Sequence, residues 1–340
     1  MDYQGTIRTS LMTLVVLSSA TFGLGHATAQ NGPGFDLPMN CSGDAPCLVQ
    51  NLVDMDTGPG QQDPFCDRAT FDTHKGTDIR VPNIADMQRW GDILAMADGV
   101  VKATRSNMDD RLWLTDADKA RFKGRECGNG LLIDHGRFDG ARFTTQLCHM
   151  ARNSISVRAG DSVKRSQKVG RMGLSGATQF PHIHVSVRKD GQVIDPVTGK
   201  LPGTSCGPTN DSSSLFSPTA LSILQRRGYR HFIEDGFAGQ AVNGKQVLQG
   251  NYQEPSTMEP LVYFAKFINL KKGDFLRLSI TGPEGLFARS QTKALTRSKS
   301  SFTAYVGKKN PPKSGIYQGQ VDLVRNGKVF SSHKSKLKKL

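Results

Sequence analysis

Apolar and polar positions along this chain come in short runs rather than long helical stripes. Between residues 71 and 200 the runs include Ile93-Leu-Ala-Met-Ala, Gly99-Val-Val-Lys-Ala-Thr, Leu131-Leu-Ile, Val169-Gly-Arg-Met and His182-Ile-His-Val-Ser-Val-Arg, separated by glycine turns. Runs this short, bounded by turn residues, predict strands. Residues 130–134 and 142–147 flank a turn-rich His-Gly-Arg-Phe-Asp-Gly-Ala segment and predict a β-hairpin. Residues 105–126 interrupt the pattern with a polar, charged stretch, expected as an inserted surface loop. A second β-rich unit follows from about residue 236, with runs at 261–267, 275–280, 301–306, 315–318 and 321–324. Lys272-Gly-Asp reads as a turn, and Asn326-Gly327 is a strong hairpin signal. Five or more such strands predict a small immunoglobulin-like β-sandwich. The fold class expected is therefore all-β, an antiparallel β-sheet domain followed by a sandwich.

The remaining segments complete the expected organisation. Residues 1–29 carry Arg8, an apolar or small-residue run from Leu11 to Gly25, and Ala27-Thr28-Ala29, the pattern of a cleaved secretory signal. The apolar run is shorter than the ~20 residues a spanning helix needs, and no later segment is long and apolar enough. Residues 30–70 are rich in Gly, Pro, Asp and Asn and are expected to be loop with one short strand near residues 47–53. The first β domain is expected over 71–202. A linker would cover 203–235, with one short helix over 217–227 and Pro218 in its first turn. The sandwich is expected over 236–332. The last eight residues, 333–340, are basic and polar and are expected to fray.

Length and charge refine this outline. A chain of 340 residues is long enough for two domains. Its net charge of +14 invites a nucleic-acid reading, but the charge is uneven. Residues 289–340 hold 13 Lys/Arg against Asp322 alone, so this end carries most of the excess and the body is nearly neutral. There is no nucleic-acid-binding motif, and an exported protein would not meet nucleic acid. A basic end region in an exported protein is better matched to an anionic envelope polymer, bound in a salt-sensitive way. Export in turn suits the six cysteines, all within residues 41–206, as three disulfides. If the hairpin pairs residues whose numbers sum to about 275, Cys127 lies opposite Cys148, within bridging range. The pairing of Cys41, Cys47, Cys66 and Cys206 stays open at this level.

Five of the eight histidines fall in the first β domain: His74, His135, His149, His182 and His184. His74 and Asp78, four apart with Gly76 between them, can turn toward one metal ion, or can be a loop histidine with a carboxylate partner. His182 and His184 lie two apart and would share a strand face, either beside an ion or as an exposed edge pair. His149 ends the predicted hairpin and by itself points to no chemistry. There is no H-E-x-x-H helix.

Taken together these pieces resemble the lysostaphin/LytM-type zinc metallopeptidases, which cleave peptide bonds in bacterial cell walls. The H-x-x-x-D motif is His74 to Asp78, and H-x-H is His182 to His184. Supporting matches include 98–101, 128–136, 160–163, 170–176 and Asp195-Pro196, over about residues 70–197. The resemblance implies Zn2+ held by His74, Asp78 and His184, with His149 and His182 as catalytic residues beside it. His135 would be structural. Leu147 stands where the family often has Tyr, and the 105–126 insert would border the groove. The implied function is exported zinc endopeptidase acting on peptidoglycan or another cell-wall peptide, in the periplasm or secreted. A non-hydrolytic wall-binding or amidase-activating protein is the alternative.

Overall fold

A computed structural model describes Met1 and residues 32–41, 45–113, 115–207, 211–228 and 231–337. The expected signal segment, Met1 apart, lies outside the described residues.

The first unit is built from β1 (Leu48–Asn51), β2 (Thr77–Arg80), β3 (Asp92–Leu94), β4 (Gly99–Arg105), β5 (Asn129–Phe138), β6 (Ala141–Met150), β7 (Ser162–Val163), β8 (Lys168–Arg171), β9 (His182–Lys189) and β10 (Gln192–Ile194). Eight of these form one antiparallel sheet in the order β1-β2-β9-β6-β5-β4-β7, with β10 paired to β9. β3 and β8 make a separate two-stranded ribbon. The sequence explains the sheet's inner face. On β9, Ile183, Val185 and Val187 are fully buried, and Ile79 on β2 and Leu147 on β6 join them in one core.

Tight turns follow the expected chemistry. Asp139-Gly140 joins β5 to β6 with both residues at positive φ (48° and 81°), the two-residue turn that matches strand twist. This turn corrects the hairpin register. The paired residue numbers sum to 278 or 279, as in Ile133 with Thr145, rather than about 275. Cys127 therefore precedes β5, yet it is linked to Cys148 all the same, because the loop brings the Cys127 carbonyl to the His149 N–H at 2.8 Å.

Four short helices were only partly anticipated: α1 (Ile84–Trp90), α2 (Asp116–Phe122), α3 (Pro218–Ile223) and α4 (Gly244–Gln249). α2 lies in the insert expected as loop. A reciprocal capping box between Thr115 and Asp118 starts it, and Phe122 is buried. α3 begins at Ser217 as N-cap with Pro218 in its first turn and ends in a π turn at 224–228.

The linker expected over 203–235 is corrected over residues 215–224, which are packed rather than free, while 208–210 and 229–230 lie outside the described residues. Leu215, Phe216, Ala220, Leu221 and Leu224 belong to the core of the first unit, and Phe35 from the N-terminal segment bridges to Phe216. Apolar side chains at i, i+3 and i+4 on a short helix bury more surface there than an extended tether could. Of two further disulfides, Cys66–Cys206 ties the N-terminal loops to the same body and Cys41–Cys47 closes a short loop just ahead of β1.

The second unit contains β11 (Phe232–Ala238), β12 (Leu261–Leu270), β13 (Phe275–Gly282), β14 (Gly285–Gln291), β15 (Lys299–Lys308), β16 (Tyr317–Arg325) and β17 (Lys328–Leu337). It is a two-sheet sandwich, β11-β12-β15 against β14-β13-β16-β17, all antiparallel. In immunoglobulin terms the order is A-B-E against C′-C-F-G. Its first strand starts at Phe232, ahead of residue 236. The expected fraying tail is corrected over residues 333–337, and 338–340 lie outside the described residues. Residues 333–337 continue β17, with His333 stacked on Phe232 at 3.7 Å and Leu337 opposite Tyr317. Alternation explains this: Lys334 and Lys336 face solvent on an edge strand while His333 and Leu337 turn inward.

Candidate metal centre

Strand register assembles the centre. β2 and β9 pair with Asp78 opposite His184 and Arg80 opposite His182. The two-residue period sends these four side chains to the face opposite Ile79, Ile183 and Val185. β6 adds Cys148 opposite His184. His74 approaches just ahead of β2, and Gly76 leaves room for the result. A Cβ on Gly76 would stand 2.6 Å from Cε1 and Nε2 of His184 and 2.5 Å from the Val185 carbonyl.

Three ligand-type atoms converge. His74 Nε2 lies 3.2 Å from Asp78 Oδ1 and 3.1 Å from His184 Nδ1, and His184 Nδ1 lies 2.8 Å from Asp78 Oδ1. A tetrahedral ion with bonds of about 2.0–2.1 Å needs donors roughly 3.3 Å apart, so the spacing and the N, O, N donor set suit a zinc-sized ion. Among the described residues this is the one group of three His, Cys, Asp or Glu side chains so arranged. Outer contacts hold the donors in place. His74 Nδ1 donates to the Leu52 carbonyl at 2.6 Å, turning the Nε2 lone pair inward, and Asn51 Nδ2 donates to Asp78 Oδ2 at 2.7 Å.

The electrostatics follow from burial and proximity. Burial alone would raise the Asp78 carboxyl, but the charges of His74 and His182 and hydrogen bonds from His184 and His74 outweigh it and hold it well below the usual carboxylate range. Burial opposes charge on His74, and Asp78 overcomes it, raising that imidazole.

His149 and His182 border the three. A regular strand would turn His149 away from the face that Cys148 occupies. Instead His149 adopts a left-handed φ of 63°, and its ring stands 4.7 Å from His182 and 5.9 Å from His184. The Cys127–Cys148 bridge and the hydrogen bond from Gly173 N–H to the His149 carbonyl (2.8 Å) hold that bend. Both rings are tied through Nδ1, His149 to the Ser175 carbonyl at 2.9 Å and His182 to the Phe180 carbonyl at 2.8 Å. Each Nε2 is thereby left as an acceptor, and that of His182 is 3.5 Å from Asp78 Oδ1. Burial pushes His182 down to about 4, and burial with the neighbouring histidines holds His149 well below the ordinary imidazole value.

The other histidine of this unit stands elsewhere. His135 is buried, with Nδ1 on the Asp98 carbonyl and Nε2 at the Thr145 hydroxyl, both at 2.8 Å. Leu147 faces the core and offers the centre nothing. Several contributors escaped the sequence reading: Asn51, the Leu52 and Ser175 carbonyls, and Phe180, which stacks on His182 at 4.4 Å beneath the Arg80 guanidinium at 4.7 Å. An arginine inside a short buried strand was a visible signal for the last. The insert is pinned to the same loop, through Arg111 N–H to the Leu174 carbonyl (3.0 Å) and Trp113 N–H to the Thr178 carbonyl (2.7 Å).

Residues 72–196 match the profile of Peptidase family M23. An uncharacterized metalloprotease of Haemophilus influenzae is 26% identical over 171 residues, which is 50% of this chain and 30% of that protein. The peptidoglycan DD-endopeptidase ShyA of Vibrio cholerae is 24% identical over 144 residues, 42% of this chain and 27% of that protein. The chain thus spans less than a third of these curated relatives. Among solved structures, the catalytic domain of lysostaphin from Staphylococcus simulans is 19% identical, with a TM-score of 0.25, covering 36% of this chain and 76% of that one. The kinship implied by the His74–Asp78 and His182–His184 motifs holds: residues 72–196 are a domain of Peptidase family M23.

Proposed function

We propose that this protein is an exported zinc endopeptidase that hydrolyses peptide bonds in peptidoglycan stem peptides or cross-links. The convergence of His74 Nε2, Asp78 Oδ1 and His184 Nδ1 within 3.2 Å of one another carries the proposal. These three would hold the ion as ligands, and three protein ligands leave a position open for chemistry. When bound, zinc supplies Lewis acidity toward a carbonyl and an ionisable water. The chain's part is proton handling. His149 and His182, neutral through burial and tied at Nδ1, offer Nε2 to accept a proton from the attacking water and to pass it to the leaving amine. Protonated, the same atoms can donate to the developing oxyanion. The relative named as a peptidoglycan DD-endopeptidase supports the substrate class.

Export is supported by the sequence pattern of residues 1–29 and by three disulfides. No helix among the described residues is long and apolar enough to cross a membrane. The basic sandwich supports attachment to an anionic envelope polymer, weakening as salt rises.

The test is mass spectrometry of muropeptides released from purified walls, with zinc content measured on the same preparations. The parent is expected to hold zinc and release cut peptides, and His184→Ala to lose both. A His184→Ala variant as fast as the parent would overturn the proposal. A zinc-bearing parent that leaves walls intact would favour the binding-only alternative.

A further inference from the structure

The cleft between the N-terminal loops and the sandwich has no part in the chemistry above. It encloses about 890 Å³, with residues 61–71 on one wall and His231, 269–272 and 296–300 on the other. Its charge is one-sided. Lys271 is paired with Asp67 at 2.5 Å. Asp63, the other lining carboxylate, is buried and saturated by the backbone N–H groups of Phe65, Asp67 and Ala69. Arg68, Lys272, Arg297 and Lys299 remain, and among the described residues none of the four is paired with a carboxylate. Four like charges around one concavity repel each other and favour an anionic occupant.

The cleft also abuts the metal centre. Phe71 lines it, is half exposed, and has its ring 4.3 Å from that of His74. Leu52, another lining residue, supplies the carbonyl that holds His74 Nδ1. The imidazole that Phe71 touches on the cleft's wall thus itself supplies one of the three ligand atoms. An exposed aromatic face among cations suits a saccharide strand bearing carboxylates, the ring packing against C–H surface and the cations taking the acids.

Resting on the wall-peptidase reading, we propose that this cleft binds a carboxylate-bearing glycan–peptide strand of the cell wall as an extension of the substrate path from the metal centre. The sandwich thereby supplies half of a substrate subsite. Binding can be measured calorimetrically on the full-length protein, with soluble uncross-linked glycan–tetrapeptide fragments and the same fragments amidated at their carboxyls. The parent should bind the free-carboxylate fragments, and either amidation or the Lys272→Glu/Arg297→Glu double variant should weaken binding at least about tenfold. Lys336→Glu, the same kind of charge reversal on β17 outside the cleft, should have a much smaller effect. His184→Ala should bind like the parent, which separates this site from the chemistry. Circular dichroism checks that the exposed Lys272 and Arg297 changes leave the fold intact. Undetectable binding by the parent, a double variant that binds like the parent, indifference to amidation, or tighter binding of a poly(glycerol phosphate) would each overturn the proposal.

Discussion

Gly76 illustrates how much a missing methyl can matter. The His184 imidazole occupies the space a Cβ would take, so the Gly76→Ala variant must displace either the ring or the Val185 carbonyl. Zinc affinity measured by chelator competition should fall about ten- to a hundredfold, the range for disturbed ligand support. An unchanged affinity would show that the ring yields at no cost. Asp195, in the Asp195-Pro196 pair, makes a different prediction. Its Oδ2 is buried without a hydrogen-bond partner, and burial pushes the carboxyl up to about 7. In the unfolded chain the same group titrates near 3.9, so folding favours the protonated acid. That contribution is complete below the unfolded value and is lost as pH rises through about 7. Asp195→Asn is neutral throughout and keeps an oxygen for the Val197 N–H. Between pH 5 and pH 8 the parent's melting temperature should therefore fall relative to the variant's; parallel curves would refute the assignment.

β9 was legible because its two sides differ so sharply: Ile183, Val185 and Val187 inward, His182 and His184 outward. The bend at His149 was not, since left-handed backbone is uncommon for any residue of Gln146-Leu147-Cys148-His149, histidine included. It is imposed by the bridge to Cys127 and the bonds to Gly173 and Ser175. The loop over 173–180 acts with β9 through Phe180, whose ring stacks on His182 while its carbonyl holds Nδ1. Phe180→Leu keeps the carbonyl and removes the stack. An aromatic pair contributes about 0.5–1.5 kcal/mol, so kcat on a wall substrate should fall by up to roughly tenfold with KM little changed. A change confined to KM would place Phe180 in substrate binding instead. The insert misread as loop shows the opposite failure. Its helix rests on a local capping box that a polar composition conceals.

The two units do not behave as beads on a string. Leu48, Ile233 and Ile268 form one buried cluster across the junction. Asn269 Nδ2 donates to the Gln50 carbonyl at 2.8 Å, and Asn83 Nδ2 to Glu234 Oε2 at 2.9 Å. Glu234 sits near two buried cations, Arg80 and Lys266, and burial with the Arg80 charge pushes Lys266 down to about 8. Arg80 in turn covers Phe180, so the sandwich buttresses the ground beneath His182. Truncation after residue 228 should therefore lower the melting temperature of the peptidase unit and expose apolar surface to a dye such as ANS, because a buried charge loses its partner. A truncated protein that melts like the parent would show that the junction contributes little.

Much of this protein was written locally. Alternation within short runs specifies strands, Asp-Gly and Asn-Gly specify their turns, and the spacings His74 to Asp78 and His182 to His184 mark two local pairs of candidate site residues. Each of these depends on neighbours only a few residues away. The approach of Cys66 to Cys206, the kink at His149, the absorption of residues 215–224 into the first core and the cationic cleft all depend on segments distant in the chain. They become determined only when burial and register bring those segments together, because a pairwise contact carries no local signature until both partners share one surface.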